Sequence, residues 1–386
     1  MTAATDVPVS WTDRSLPWRD RLLASPRFRR WAAAFPLTRP IARRRARDLF
    51  DLCAGFVYSQ ILLACVRLRL FDVLAEGPQT REALSQRFAL APDATERLLA
   101  AAVALRLVAP RGAERYGLGP LGAALVGNPG ITAMVEHHAL LYADLQDPVA
   151  LLRGEGGPTE LGRYWAYAAA GAPATLAREE VAAYTALMSA SQSLIAEEVL
   201  DAYSLAGHRR LLDVGGGDGT FLAAAGARWP HLKLLLFDLP PVAERARARF
   251  AQAGLADRAE VLGGDFRADR LPRGADIVSL VRVIHDHDDD VALALLRAVH
   301  RALPPAGVLL LAEPMAGTPG AETVGDAYFG FYLLAMGSGR PRSPEQLEQM
   351  LRAAGFGRVR RVATRMPLQT GVLVASLGQP ACVNIT

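Results

Sequence analysis

With 386 residues, 51% of them hydrophobic and 21% charged, the chain has the composition of a folded protein of two or three domains, and a disordered or low-complexity chain is excluded. Cys53, Cys65 and Cys382 lie far apart with no CxxC spacing, which excludes a disulfide framework or a thiolate zinc site and points to a reducing cytoplasm. The net charge of +4 conceals an asymmetry. Residues 18–47 hold ten arginines (Arg19, Arg21, Arg27, Arg29, Arg30, Arg39, Arg43, Arg44, Arg45, Arg47) against Asp20, leaving the remainder acidic.

The N-terminus lacks the apolar core of a secretory signal, and no uncharged run approaches the roughly 20 residues of a spanning helix, so any membrane connection is expected to be peripheral. Residues 1–47 form a basic arm in which Trp18, Phe28, Trp31 and Phe35 alternate with arginines. Pro26, Pro36 and Pro40 divide it into short helical pieces. An arm packed on its own protein and a surface for an anionic inner membrane are both open readings. Over residues 48–127 the pattern predicts helices at FDLCAGFVYSQILLACVRL (50–68), TREALSQRF (80–88) and DATERLLAAAVAL (93–105), then a hairpin turning at Arg111-Gly112. That is a winged-helix pattern. Asp93 and Glu96 on its would-be recognition helix suit phosphates poorly, so no nucleic-acid partner is expected.

Residues 128–200 read as helical, with an aromatic patch RYWAY (163–167) and a helix EEVAAYTALMSASQSLIAEEVL (179–200). From 201 to 378 the texture is strand, loop and helix in repetition, an α/β pattern with a parallel sheet. RRLLDVGGGDGTFL (209–222) is its first βα unit, with glycines that let backbone approach a ligand. Thr220 stands where a dinucleotide fingerprint needs its third glycine. Asp213 before the loop suits a cationic ligand such as S-adenosylmethionine. Asp238 ends the next strand, near where such folds place an acid on ribose hydroxyls, and Asp265 follows a third strand, facing an adenine edge. A fourth strand, ADIVSLVRVI, is predicted to run directly into His285, and a fifth ends at Glu313.

In HDHDDD (285–290) the last three aspartates are expected to start a helix, capping its free amides. His285 at the ligand edge is read as a general base, with Glu313 orienting its ring. No metal is expected.

The ordered series DVGGGDG, FDLP, GDF, RVIHD and LLLAEP resembles the cation-independent small-molecule O-methyltransferases. The resemblance implies a Rossmann-like class I S-adenosylmethionine-dependent methyltransferase domain (201–378) behind an α-helical winged-helix dimerisation domain (48–127), with a pocket-forming linker (128–200) and a homodimer. It also implies cofactor contacts at Asp213, Gly215, Gly217, Asp238, Asp265, Phe266, Arg282 and Gln192, catalysis by His285 and Glu313, and an acceptor pocket at Met188, Tyr184, Tyr332 and Met336. Within the family, the basic arm, VRVIHDH and GDAYFGFYLLAM are most similar to purple-bacterial carotenoid-hydroxyl methyltransferases, implying a hydrophobic acceptor. A tetrapyrrole or polyketide acceptor, a DNA-binding regulator and a membrane-bound scaffold are the rival readings. Two positions depart from the family pattern: His287 stands for a tryptophan, and Pro341 for a second glutamate flanking the histidine.

Overall fold

The computed structural model describes residues 11–112, 114–165, 167, 178–368 and 370–378; the remaining positions, Cys382 among them, lie outside the description. Two compact units divide the chain, the first ending at Ala123. The described residues of 128–200, read above as a pocket-forming linker, fall in the second unit.

In the N-terminal unit, helices Trp11–Ala24 and Pro26–Ala34 precede a long helix, Arg39–Arg67. The prolines begin helices more than they break them. Pro26 occupies the first turn behind Ser25, whose hydroxyl accepts from Phe28 N, and Pro40 sits in the first turn of the long helix, where a missing N–H costs nothing. The long helix therefore crosses the boundary drawn at residue 47. It also amends the expectation about spanning segments. Its apolar window has a mean hydropathy of 1.8 and is 17% buried, which by length and composition alone suffices to cross a membrane. Helices Leu70–Ala75, Arg81–Phe88 and Pro92–Ala104 follow, with three short strands, β1 (Gln79–Thr80), β2 (Val108–Arg111) and β3 (Arg115–Leu118), in the order β1-β3-β2.

The second unit is built on seven strands: β4 (Arg210–Val214), β5 (Lys233–Asp238), β6 (Ala259–Gly263), β7 (Ile277–Val281), β8 (Val308–Glu313), β9 (Arg358–Val362) and β10 (Gly371–Ser376), in the order β6-β5-β4-β7-β8-β10-β9. The first five are parallel, and β10 runs antiparallel between β8 and β9. Residues of β4 alternate between two buried clusters, Leu212 and Val214 in one and Leu211 in the other. Burial on both faces is why β4, β5, β7 and β8 read as nearly continuous apolar runs. Strand order reverses between β5 and β7 on either side of β4, so a crevice opens at the carboxyl end of β4.

Candidate active site

The loop after β4 is shaped by what surrounds it. Gly215 has φ +69°, and a Cβ there would lie 2.9 Å from Val283. At Gly216 a Cβ would lie 2.5 Å from the Asp213 carboxylate. At these two positions there is room for backbone only, whereas a Cβ at Gly217 would meet open space. Gly217 N donates to Asp238 Oδ2 at 2.7 Å, and Leu239 N to Oδ1 at 2.7 Å. Burial pushes the Asp238 carboxyl up to about 6, against these two donors.

Asp213 does not reach the cavity, which corrects its reading as a cofactor contact. It lies one residue short of the end of β4, opposite Ser279 of β7, whose hydroxyl donates to it at 2.6 Å. Burial raises its pKa to about 7, and its Oδ2 has no partner among the described residues. Asp213 supports the loop from beneath.

Gly215, Gly217, Asp238, Asp265, Phe266, Arg282, Gln192, Met188 and Tyr184 do line one cavity. Sequence reasoning missed Trp165, Tyr167, Ser189 and Asp286 in its wall, although RYWAY had signalled the first two as an aromatic cluster. Arg282 Nη1 donates to Ser191 Oγ at 2.9 Å, and its Nη2 approaches Met188 Sδ at 3.6 Å. Phe266 meets the His287 ring edge-on at 5.2 Å. His287 is buried, and burial is the main cause that takes its pKa down to about 4. It is thus a neutral aromatic wall residue, doing part of what a tryptophan would.

The stretch before His285 is not a strand. β7 ends at Val281, Arg282 turns left-handed (φ 59°), and Ile284–Asp286 form a 3-10 turn. Glu313, at the end of β8 and 1% exposed, holds this turn: its Oε1 accepts from Val283 N (3.0 Å) and Ile284 N (2.7 Å). Its Oε2 faces His285 Nδ1 at 2.5 Å. The other ring nitrogen, Nε2, lies 3.1 Å from Asp286 Oδ1. Burial lowers the His285 pKa, but the Asp286 and Glu313 carboxylates outweigh it and Arg282 opposes them, leaving it raised overall.

The three aspartates start the helix as expected but cap it only in part, through Asp290 Oδ1, which accepts from Val291 N at 2.8 Å. Helix Asp289–Ala302 does begin there, yet the Asp288 side chain accepts from Gly339 N rather than from its own helix. Asp289 pairs with Arg340 and Arg342. Buried Arg342 also donates to Ile284 O (2.8 Å) and His287 O (2.7 Å), stapling the turn.

Tyr332 and Met336, expected in the acceptor pocket, do not line this cavity. Tyr332 Oη is 2.7 Å from His137 Nε2 and accepts from Trp165 Nε1 at 2.8 Å, inside a packed aromatic cluster. Met336 borders a separate depression with Leu151, Leu334 and the 154–157 glycine turn. Helix Phe329–Met336 is apolar all round, so its sequence did not show which face meets which space.

Acids at and just past two strand ends, a glycine-rich loop and an aromatic ring in one cavity suit a nucleoside with a charged tail, and Tyr184 Oη is a buried polar atom there with no partner among the described residues.

Comparison with known proteins agrees. The O-methyltransferase domain family matches residues 142–357, and the O-methyltransferase dimerisation domain matches residues 50–128. Demethylspheroidene O-methyltransferase of Cereibacter sphaeroides is 47% identical over 88% of this chain and 89% of its own; that of Rhodobacter capsulatus is 42% identical over 93% and 89%. The crystal structure of human N-acetylserotonin methyltransferase with S-adenosylmethionine superposes with a TM-score of 0.71 at 25% identity, covering 87% of this chain and 98% of that one. Mitomycin 7-O-methyltransferase gives 0.70 at 25% identity, with 87% and 99% covered. With a crevice of this chemistry and relatives along most of its length, the chain belongs to the O-methyltransferase family and is an S-adenosylmethionine-dependent methyltransferase.

Proposed function

We propose that the acceptor is the tertiary C-1 hydroxyl of an acyclic hydroxycarotenoid, on a route to spheroidene or spirilloxanthin, and that His285 is the general base. The likeness to two demethylspheroidene O-methyltransferases, at 47% and 42% identity over most of both chains, carries the acceptor reading. The base reading rests on His285 being oriented by Glu313 at 2.5 Å, directly behind Asp286 of the cavity wall.

When bound, S-adenosylmethionine supplies an electrophilic methyl on a sulfonium. Asp238 takes the ribose hydroxyls; Asp265 and Phe266 take the adenine; Gly215, Gly217, Arg282 and Gln192 surround the remainder. Trp165, Tyr167, Tyr184 and Met188 form the less polar side of the cavity, where an apolar acceptor aligns its oxygen with water excluded. The described residues that line this cavity all belong to the second unit; the dimerisation domain supports a homodimer.

The deciding assay is incubation with labelled S-adenosylmethionine and a panel of hydroxycarotenoids, which should yield a methoxycarotenoid. Methylation of a tetrapyrrole or polyketide hydroxyl with none of the carotenoids would overturn the acceptor. His285→Ala should lower turnover about 10²- to 10⁴-fold while S-adenosylmethionine affinity holds; lost affinity would make His285 structural.

A lipid-dissolved acceptor gives the basic arm a partner, and we read residues 18–47 as a peripheral contact with an anionic membrane. Trp18, Trp31, Phe35, Leu37 and Ile41 are exposed, and Trp31 stacks on Phe35 at 5.2 Å. Arg21, Arg27, Arg29, Arg30, Arg43, Arg45 and Arg47 are exposed beside them. Aromatics among arginines are the surface that headgroups recognise.

A further inference from the structure

Both nitrogens of His285 face carboxylates, but only one of these acids was expected. Glu313 serves Nδ1. The acid at Nε2 is Asp286, from the same 3-10 turn, and its other oxygen accepts from Tyr167 Oη at 2.7 Å. Asp286 and Tyr167 line the cavity, whereas His285, 6% exposed, lies behind them. The sequence has no acid at position 341, where the family pattern places its second glutamate.

We propose that Asp286, clamped by Tyr167, is a positioning residue for the methyl transfer: it supplies the second carboxylate that holds and stabilises the His285 imidazolium. This rests on the reading of His285 as the base. The acceptor oxygen forms its bond to the methyl carbon as the carbon–sulfur bond breaks, with that pair remaining on sulfur. The hydroxyl proton passes to His285 Nε2. The resulting imidazolium is flanked by two carboxylates, Glu313 hydrogen-bonded at Nδ1 and Asp286 3.1 Å from Nε2. Two carboxylates against one buried ring favour its protonated form electrostatically, the state that develops during transfer. The same charges hold a proton on the free enzyme's histidine to higher pH than usual, so activity rises with pH as that proton leaves. The charged groups around the ring are Asp286 and Glu313, which favour the imidazolium, and Arg282, which opposes it; His287 beside it is neutral, and Phe329 closes the ring's edge at 5.8 Å.

The test is the titration of His285 by NMR in the full chain, assigned by its loss in His285→Gln, alongside the pH dependence of kcat/KM. In Asp286→Asn the His285 titration and the rising limb should both move to lower pH, and the plateau should fall about 10- to 10²-fold. Tyr167→Phe, which keeps the carboxylate and removes its donor, should move the titration upward. An unmoved titration in Asp286→Asn overturns the proposal even if turnover falls, as does a downward shift in Tyr167→Phe. Failure of the base reading looks different: His285→Gln would retain turnover, while the NMR comparison would still decide whether Asp286 sets the histidine's charge.

Discussion

If Asp238 holds the ribose hydroxyls as proposed, it couples cofactor binding to protons. Its carboxyl is raised to about 6 in the free protein, chiefly by burial, so near pH 5 most of it is protonated. Hydrogen bonds from ribose hydroxyls favour the carboxylate, and binding should release a proton there. Calorimetry near pH 5 in buffers of different ionisation enthalpy should show that release, absent in Asp238→Ala, whose affinity should fall by at least about tenfold. No buffer dependence, or undiminished affinity in the variant, would refute the ribose assignment. The raised value has the opposite sign for folding: the protonated carboxyl favours the fold at low pH, and that contribution is lost as pH rises through about 6. Such chemistry was only partly legible in the letters. Acids at strand ends could be read from spacing, but the single-residue offset that turns Asp213 beneath the loop is a matter of strand register. Asp286 was given no role by the letters, because nothing in the sequence joins it to Tyr167, 119 positions away.

At the scale of elements, parallel strands buried on both faces gave themselves away as apolar runs. RVRRV of β9 did not, because an edge strand with exposed arginines has no such run. The break after β7 was equally hidden, since a left-handed arginine has no sequence signature. Helix Arg39–Arg67 carries a different lesson. Leu49, Leu52, Phe56 and its neighbour Val57 are exposed and recur at helical spacing along one face. The dimerisation domain begins at residue 50, and a second copy of the chain is the cover we expect on this face. Leu52→Asp with Phe56→Asp should convert a dimer into a monomer by light scattering, with secondary structure retained. A dimer unchanged by both charges would move the interface elsewhere.

For the whole molecule, the segregation of charge is the distinctive property: residues 18–47 are strongly basic and the rest is acidic. A basic patch of this kind is drawn to anionic lipid, and the attraction is screened by salt. Flotation with phosphatidylcholine vesicles containing phosphatidylglycerol should recover the chain at low salt, more weakly at high salt, and little after Arg27→Gln, Arg29→Gln and Arg30→Gln together. Equal recovery on pure phosphatidylcholine would end the membrane reading. The sheet carries a consequence for how the enzyme is made. β10 inserts between β8 and β9, with Gly371 opposite Glu313, so the strand that presents the histidine's orienting acid gains one of its two neighbours from nearly the last described residues. A ribosome must therefore release residues 371–376 before this half of the crevice can close. Nascent chains halted before residue 371 should neither retain S-adenosylmethionine nor resist proteases, however completely the dimerisation domain has formed by then.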